Sequence, residues 1–168
     1  ELDLSKPLTK AEVDEIQEAI DHYAVLVFRD QQDLSDQGQI DFSAHFGDLQ
    51  TSITIHREDT KRRLKRPELS DISNVGEGGS RMAVDDKRRL LQKPAKLWHS
   101  DSSFRSPAGL YTFLAARIVP PEGGDTQFAD MRAAFDALDA ETQSDLIGKK
   151  VVHSLGWSRT QANAPPLS

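Results

Sequence analysis

Apolar residues recur at helical spacing near the start of the chain, then give way to short apolar runs broken by glycine and proline. Thr9 followed three residues later by Glu12 predicts a capping box, and Val13, Ile16, Ile20 and Tyr23 continue it as one face of a helix. The run Ala24 to Phe28 is too short for a helix and reads as a buried strand. Ser35 can cap a second helix, with Ile40 and Phe46 facing inward and Gly47 as its stop, although Gly38 weakens it. Thr51 to Ile55 and Ser70 to Val75 are strand-like. Gly76 to Pro94 opens on Gly-Glu-Gly-Gly-Ser and continues with charge, which predicts an irregular excursion of the kind that is mobile or functional.

Beyond it, Leu97 to Asp101 is a strand candidate and Leu110 to Ile118 an apolar run. Pro120-Pro121-Glu122-Gly123-Gly124 predicts a turn, and Asp125 to Phe128 a short strand. Asp130 can cap a helix with Met131, Ala134, Phe135 and Leu138 on its apolar face. A second helical stretch runs to about Ile147, stopped by Gly148; Val151 to Leu155 reads as a last strand, and the tail from Ala162 to Ser168 is Pro-rich. Strands dominate the middle and helices flank them, so the expected class is α+β with a mainly antiparallel sheet system in one domain.

Composition narrows the chemistry. The 168 residues contain no cysteine, which removes disulfides, thiolate metal sites and cysteine nucleophiles together. Any metal site must use His, Asp or Glu. A net charge of −6 disfavours nucleic acid as a partner. The basic segment Lys61 to Arg66, echoed by Lys87-Arg88-Arg89, reads as solvated surface. No run reaches the roughly 20 apolar residues that span a bilayer, and no secretory leader is visible, so no membrane partner and a cytoplasmic setting are expected.

The informative stretch is Leu97-Trp98-His99-Ser100-Asp101-Ser102-Ser103-Phe104. On a strand, positions i and i+2 share a face, so His99 and Asp101 can converge on one metal while Trp98 and Ser100 point away. With a second imidazole from elsewhere, such a pair makes a 2-His-1-carboxylate set that leaves iron open on one side. His-x-Asp alone recurs by chance, and its weight comes from context.

That context is several ordered blocks: Tyr23 to Gln31, Phe42 to Leu49, Ile72 to Val75, Leu97 to Phe104, and Pro120 to Met131. In these blocks the chain resembles the taurine/2,4-dichlorophenoxyacetate dioxygenase family, and Trp-His-Ser-Asp-Ser-Ser-Phe is most similar to its aryloxyacetate-cleaving branch. The resemblance implies a double-stranded β-helix (jelly roll) with flanking helices, of which residues 1–168 form one partial domain. It also implies an active-site loop at about 76–94, with the closing strands missing. It makes His99 and Asp101 the metal ligands for Fe(II), with 2-oxoglutarate as co-substrate. Thr126 then matches the threonine that hydrogen-bonds the co-substrate's distal carboxylate, and Ser102 and Phe104 could line the substrate pocket. The implied reaction hydroxylates a small carboxylate or sulfonate with O2, releasing succinate and CO2; a homo-oligomer is compatible with it. The family's distal histidine and carboxylate-clamping arginine have no counterpart here. His153 is the remaining candidate ligand, but its Val-Val-His-Ser context favours a structural or pocket-edge role. The alternatives are a catalytically inactive module of the same fold that binds a small anion or protein, and an oxygenase acting on nucleic acid through residues 61–66.

Overall fold

The computed structural model describes residues 2–52 and 63–164. The latter part of the Thr51 to Ile55 strand candidate, His56, Lys61 and Arg62 therefore lie outside the described residues, as does the end of the Pro-rich tail. The chain folds as two compact units, Glu1–Phe46 with Phe113–Val151, and Gly47–Thr112 with Val152–Ser168. No helix among the described residues is long and apolar enough to cross a membrane.

In the first unit, α1 (Lys10–Tyr23) begins at the expected capping box: Thr9 accepts from the Glu12 backbone, and the Glu12 carboxylate accepts from the Thr9 N–H at 2.7 Å. The Thr9 N–H and the Thr9 hydroxyl both donate to the Glu12 carboxylate, and together they hold its carboxyl below its usual range. Helix α2 (Asp36–Ala44) is capped by Ser35 and buries Phe42. Around Phe42 lie the rings of Phe28, Phe46 and Phe113, with centroids 5.3–5.7 Å away, joined by Leu4 and Leu34. The Gln31 amide satisfies the neighbouring backbone, accepting from Leu4 N–H and donating to the Leu2 and Arg29 carbonyls. Arg117 donates to the Leu34 carbonyl and reaches Asp36 at 3.3 Å, pinning the returning chain to the start of α2. Two short helices close the unit, α4 (Met131–Asp136) and α5 (Ala140–Leu146), capped by Asp130 and Asp139.

The second unit replaces much of the predicted irregular excursion with structure. Gly76 donates to the Ser80 carbonyl and Met82 to that of Asn74, closing a small loop with one bridge, Val75 to Arg81. Gly78 and Gly79 both sit at φ +82°, a conformation that side-chain-bearing residues rarely adopt. Helix α3 (Lys87–Leu91) and a 3-10 turn (Lys93–Lys96) follow. The reason is a charge node. Asp71 accepts from Arg63 at 2.9 and 3.0 Å and from Arg88 at 3.0 Å, while Gln92 donates to its carbonyl. The last strand expectation is corrected too: Leu155 opens a helix, α6 (Leu155–Gln161), because Ser154 caps it.

The expected sheet is the main departure. Among the described residues no strand ladder forms, only the single bridge. Yet side-chain burial alternates strictly through residues 24–28, 71–75 and 111–115, as it would along strands. The outward positions still carry large apolar groups: Val27 is 73% exposed, Ile72 64% and Leu114 65%. These segments have the side-chain period of doubly covered strands, and what they lack is a hydrogen-bonded neighbour.

Asp71 should matter for stability. Burial raises its carboxyl pKa, but the hydrogen bonds from Arg63 and Ser73 and both guanidinium charges outweigh that, leaving it below the ordinary 3.8. Its side chain is 10% exposed and that of Arg88 18%. Asp71→Asn is expected to destabilise the protein by about 2–3 kcal/mol at pH 7, short of the 3–5 kcal/mol for breaking a fully buried pair. The folded pKa lies below the unfolded one, so the carboxylate's contribution is full above pH 3.8 and fades as pH falls through the folded value. Urea midpoints of wild type and variant should therefore separate at pH 7 and converge as the pH is lowered below 3.8.

Candidate metal site

The 3-10 turn ends at Leu97, whose backbone is extended, and residues 101–104 form a turn. Between them the chain carries His99 and Asp101 without a regular strand. The predicted convergence nonetheless occurs. His99 Nε2 lies 3.1 Å from Asp101 Oδ1, and His99 Nδ1 lies 2.6 Å from the Leu97 carbonyl. A carbonyl can only accept, so Nδ1 carries the ring proton and donates it. In the neutral ring, Nε2 then presents a lone pair towards a carboxylate. Two acceptors at that distance repel unless a cation joins them, either a second ring proton or a metal ion. The backing of a ligand imidazole by a backbone carbonyl is the usual arrangement at metal centres. The separation also fits two adjacent corners of an octahedron with metal–donor bonds of about 2.1 Å. Both side chains are about half exposed, so the pair is reachable from solvent.

The turn beyond the pair is held on several sides. Ser102 adopts a left-handed φ of +54°, and its carbonyl accepts from Arg105 N–H at 3.0 Å. Gly109 lies against it, where an added Cβ would stand 3.2 Å from Ser102 Cβ. Phe104 is 38% exposed. Ser103 Oγ and His153 Nδ1 share a hydrogen bond of 2.8 Å. Thr126 is exposed and belongs to the first unit, whereas His99, Asp101, Ser102 and Phe104 belong to the second. His22 ends α1 edge-on to Tyr23, and His45 follows α2, both within the first unit. No group of three or more His, Cys, Asp or Glu suited to a metal is present among the described residues. His99 and Asp101 are therefore a two-donor set. Within the first unit, a cleft of about 510 Å³ is lined by Tyr23 to Val25 and Phe128 to Arg132.

Comparison with known proteins bears on what such a pair is for. The taurine catabolism dioxygenase TauD, TfdA family matches residues 1–167. The chain belongs to this family. The TauD/TfdA chain is 43% identical to an alpha-ketoglutarate-dependent 2,4-dichlorophenoxyacetate dioxygenase from Cupriavidus pinatubonensis, over 99% of its own length and 61% of the relative's. It is 34% identical to a (S)-phenoxypropionate/alpha-ketoglutarate-dioxygenase from Sphingobium herbicidovorans, over 88% of its length and 46% of that protein. Its backbone matches the crystal structure of AAD-2 in complex with Mn(II) and N-oxalylglycine with a TM-score of 0.76 at 42% identity, covering 96% of this chain and 52% of that one. This TauD/TfdA chain thus spans about half to three-fifths of the length of the relatives it matches.

Two features of the site had no sequence signal. The Leu97 carbonyl that fixes the His99 tautomer is a backbone atom, invisible to any motif. The Ser103–His153 contact joins residues 50 positions apart, and only the fold could bring them together.

Proposed function

We propose that this TauD/TfdA protein is an Fe(II)- and 2-oxoglutarate-dependent dioxygenase that hydroxylates a small aryloxy carboxylic acid, with release of succinate and CO2. The observation that carries it is His99 Nε2 facing Asp101 Oδ1 at 3.1 Å with Nδ1 committed to the Leu97 carbonyl. That donor set, one neutral imidazole and one carboxylate, suits a divalent first-row metal. The named substrates of the relatives, 2,4-dichlorophenoxyacetate and phenoxypropionate, favour an aryloxy acid over a sulfonate. Iron held by His99 and Asp101 would supply a redox centre for the oxidative decarboxylation of 2-oxoglutarate with O2.

The chain's own residues have separate tasks in this reading. His99 and Asp101 would hold the metal, and Leu97 keeps the imidazole in its ligating tautomer. Thr126, beyond the Gly123-Gly124 turn at φ +69° and +81°, offers a hydroxyl to the distal carboxylate of 2-oxoglutarate. Ser102 and Phe104, directly after the ligands, border the substrate. The two units form one dioxygenase domain: the family matches residues 1–167 without a break, and the chain passes from one unit to the other and back. In the jelly roll proposed here, the alternating segments 24–28, 71–75 and 111–115 are strands. Their uncovered apolar positions supply the support, since such groups call for a facing layer. The proposed setting is the cytoplasm, whose reducing conditions keep iron ferrous.

The test is turnover by the intact protein: Fe(II)-dependent conversion of 2-oxoglutarate to succinate, stimulated by aryloxyacetates. Thr126→Val should raise the KM for 2-oxoglutarate about 10-fold, the effect of losing one hydrogen bond to a charged group, with a smaller change in kcat. Binding of 2-oxoglutarate with no succinate formed under any substrate would replace this reading with that of an inactive binding module.

A further inference from the structure

The ligand-bearing stretch is held at both ends by the same element. Upstream, the 3-10 turn Lys93–Lys96 lies against α6 and runs directly into Leu97. Lys93 Nζ donates to the Asn163 carbonyl just beyond that helix, at 3.3 Å. Downstream, Ser103 shares its 2.8 Å hydrogen bond with His153, two residues ahead of α6. Ser154 between them caps the helix, its Oγ accepting from Trp157 N–H at 3.2 Å. All of these residues belong to the second unit.

Within this brace the backbone is forced. Ser102 takes a left-handed conformation that disfavours any side chain, and such conformations persist only where surrounding contacts over-determine them. Asp101 is its immediate neighbour, so the contacts that hold Ser102 and Ser103 also aim the carboxylate.

We propose that His153 is a positioning residue for the metal pair: through Ser103 it fixes the turn that sets Asp101 against His99. It does not stand as a third ligand, because no third donor joins His99 and Asp101 among the described residues. The proposal rests on His99 and Asp101 being the ligands, and the test separates the two claims.

Mn(II) affinity of the intact protein is read by the EPR signal of free Mn(II), with circular dichroism to confirm folding. His153→Ala and Ser103→Ala should each weaken binding about 10-fold, the lower end of the 10–100-fold that follows loss of a group supporting a ligand, because this contact is exposed. The double variant should bind no more weakly than either single one, since the two residues act through one bond. His153→Asn, whose amide can stand where Nδ1 stands, should recover most of the affinity. If His153→Ala does not fold, Ser103→Ala and His153→Asn carry the test. Wild-type affinity in both alanine variants, or losses that add in the double, would overturn the proposal. So would a loss in His153→Ala as deep as that in His99→Ala without rescue by asparagine, which would make His153 a ligand. If His99→Ala keeps full affinity as well, the ligand reading itself fails; if only His99→Ala loses it, the fault lies with His153 alone.

Discussion

Asp101→Asn is expected to lower the Mn(II) affinity of the intact protein by more than about 100-fold, beyond the range for groups that merely support a ligand. The metal-free protein should unfold at the same temperature as before, or slightly higher. Both halves of that result come from one geometry. The Asp101 carboxylate stands 3.1 Å from His99 Nε2, and the Leu97 carbonyl already holds the Nδ1 proton. An asparagine amide in the same place would donate N–H to Nε2, filling with a hydrogen bond the position a cation should take. The apo protein loses a repulsion while the holo protein loses its charged ligand. Thermal unfolding with and without Mn(II) reads both. At a metal concentration 100 times Kd, wild type should gain about 2.7 kcal/mol and the variant almost none. The rival is a simple imidazolium–carboxylate pair with no metal role. It predicts that Mn(II) stabilises neither protein and that Asp101→Asn loses stability.

The largest effect on folding is expected at Phe42. Its side chain is 5% exposed and touches three other rings, Phe28, Phe46 and Phe113, all edge-on. Phe42→Ala removes the centre of that cluster, and a cavity walled by the three remaining rings cannot close by small shifts. A loss of about 3–5 kcal/mol is expected, measured as a fall in urea midpoint at unchanged slope. Tyr23→Ala is the control. That ring is 67% exposed, and its removal should stay within about 0.5 kcal/mol. Equal effects of the two would mean that the aromatic cluster is not the core of the first unit.

Local signals in the sequence are legible where the physics is local. The Thr9–Glu12 capping box, the Ser35 cap and the Asp130 cap each start a helix because a side chain three or fewer residues away satisfies a backbone N–H. His99 and Asp101 also meet as the i, i+2 rule expects, even though their backbone forms no ladder. Pairing was not legible in the same way. The runs at 24–28 and 71–75 show the alternation of strands, but a strand exists only when another backbone accepts its hydrogen bonds, and sequence alternation does not name that partner. The order found within the segment 76–94 is hidden for a related reason. Its charge suggested solvent, whereas Arg88 is drawn in by Asp71, 17 residues away. Leu155 to Gln161 reads poorly as a helix because it contains Gly156 and Thr160, and its start depends on the Ser154 cap.

Phe113 reaches the aromatic cluster from a point roughly 70 residues later in the chain than Phe42 and Phe46. At the usual pace of 5–20 residues per second, a ribosome needs on the order of 3–15 s to make that interval. Throughout it, the first 46 residues can form their two helices but leave one wall of their oil-filled centre open. Nascent chains of this protein should therefore be clients of the cell's holding chaperones until Phe113 has been made.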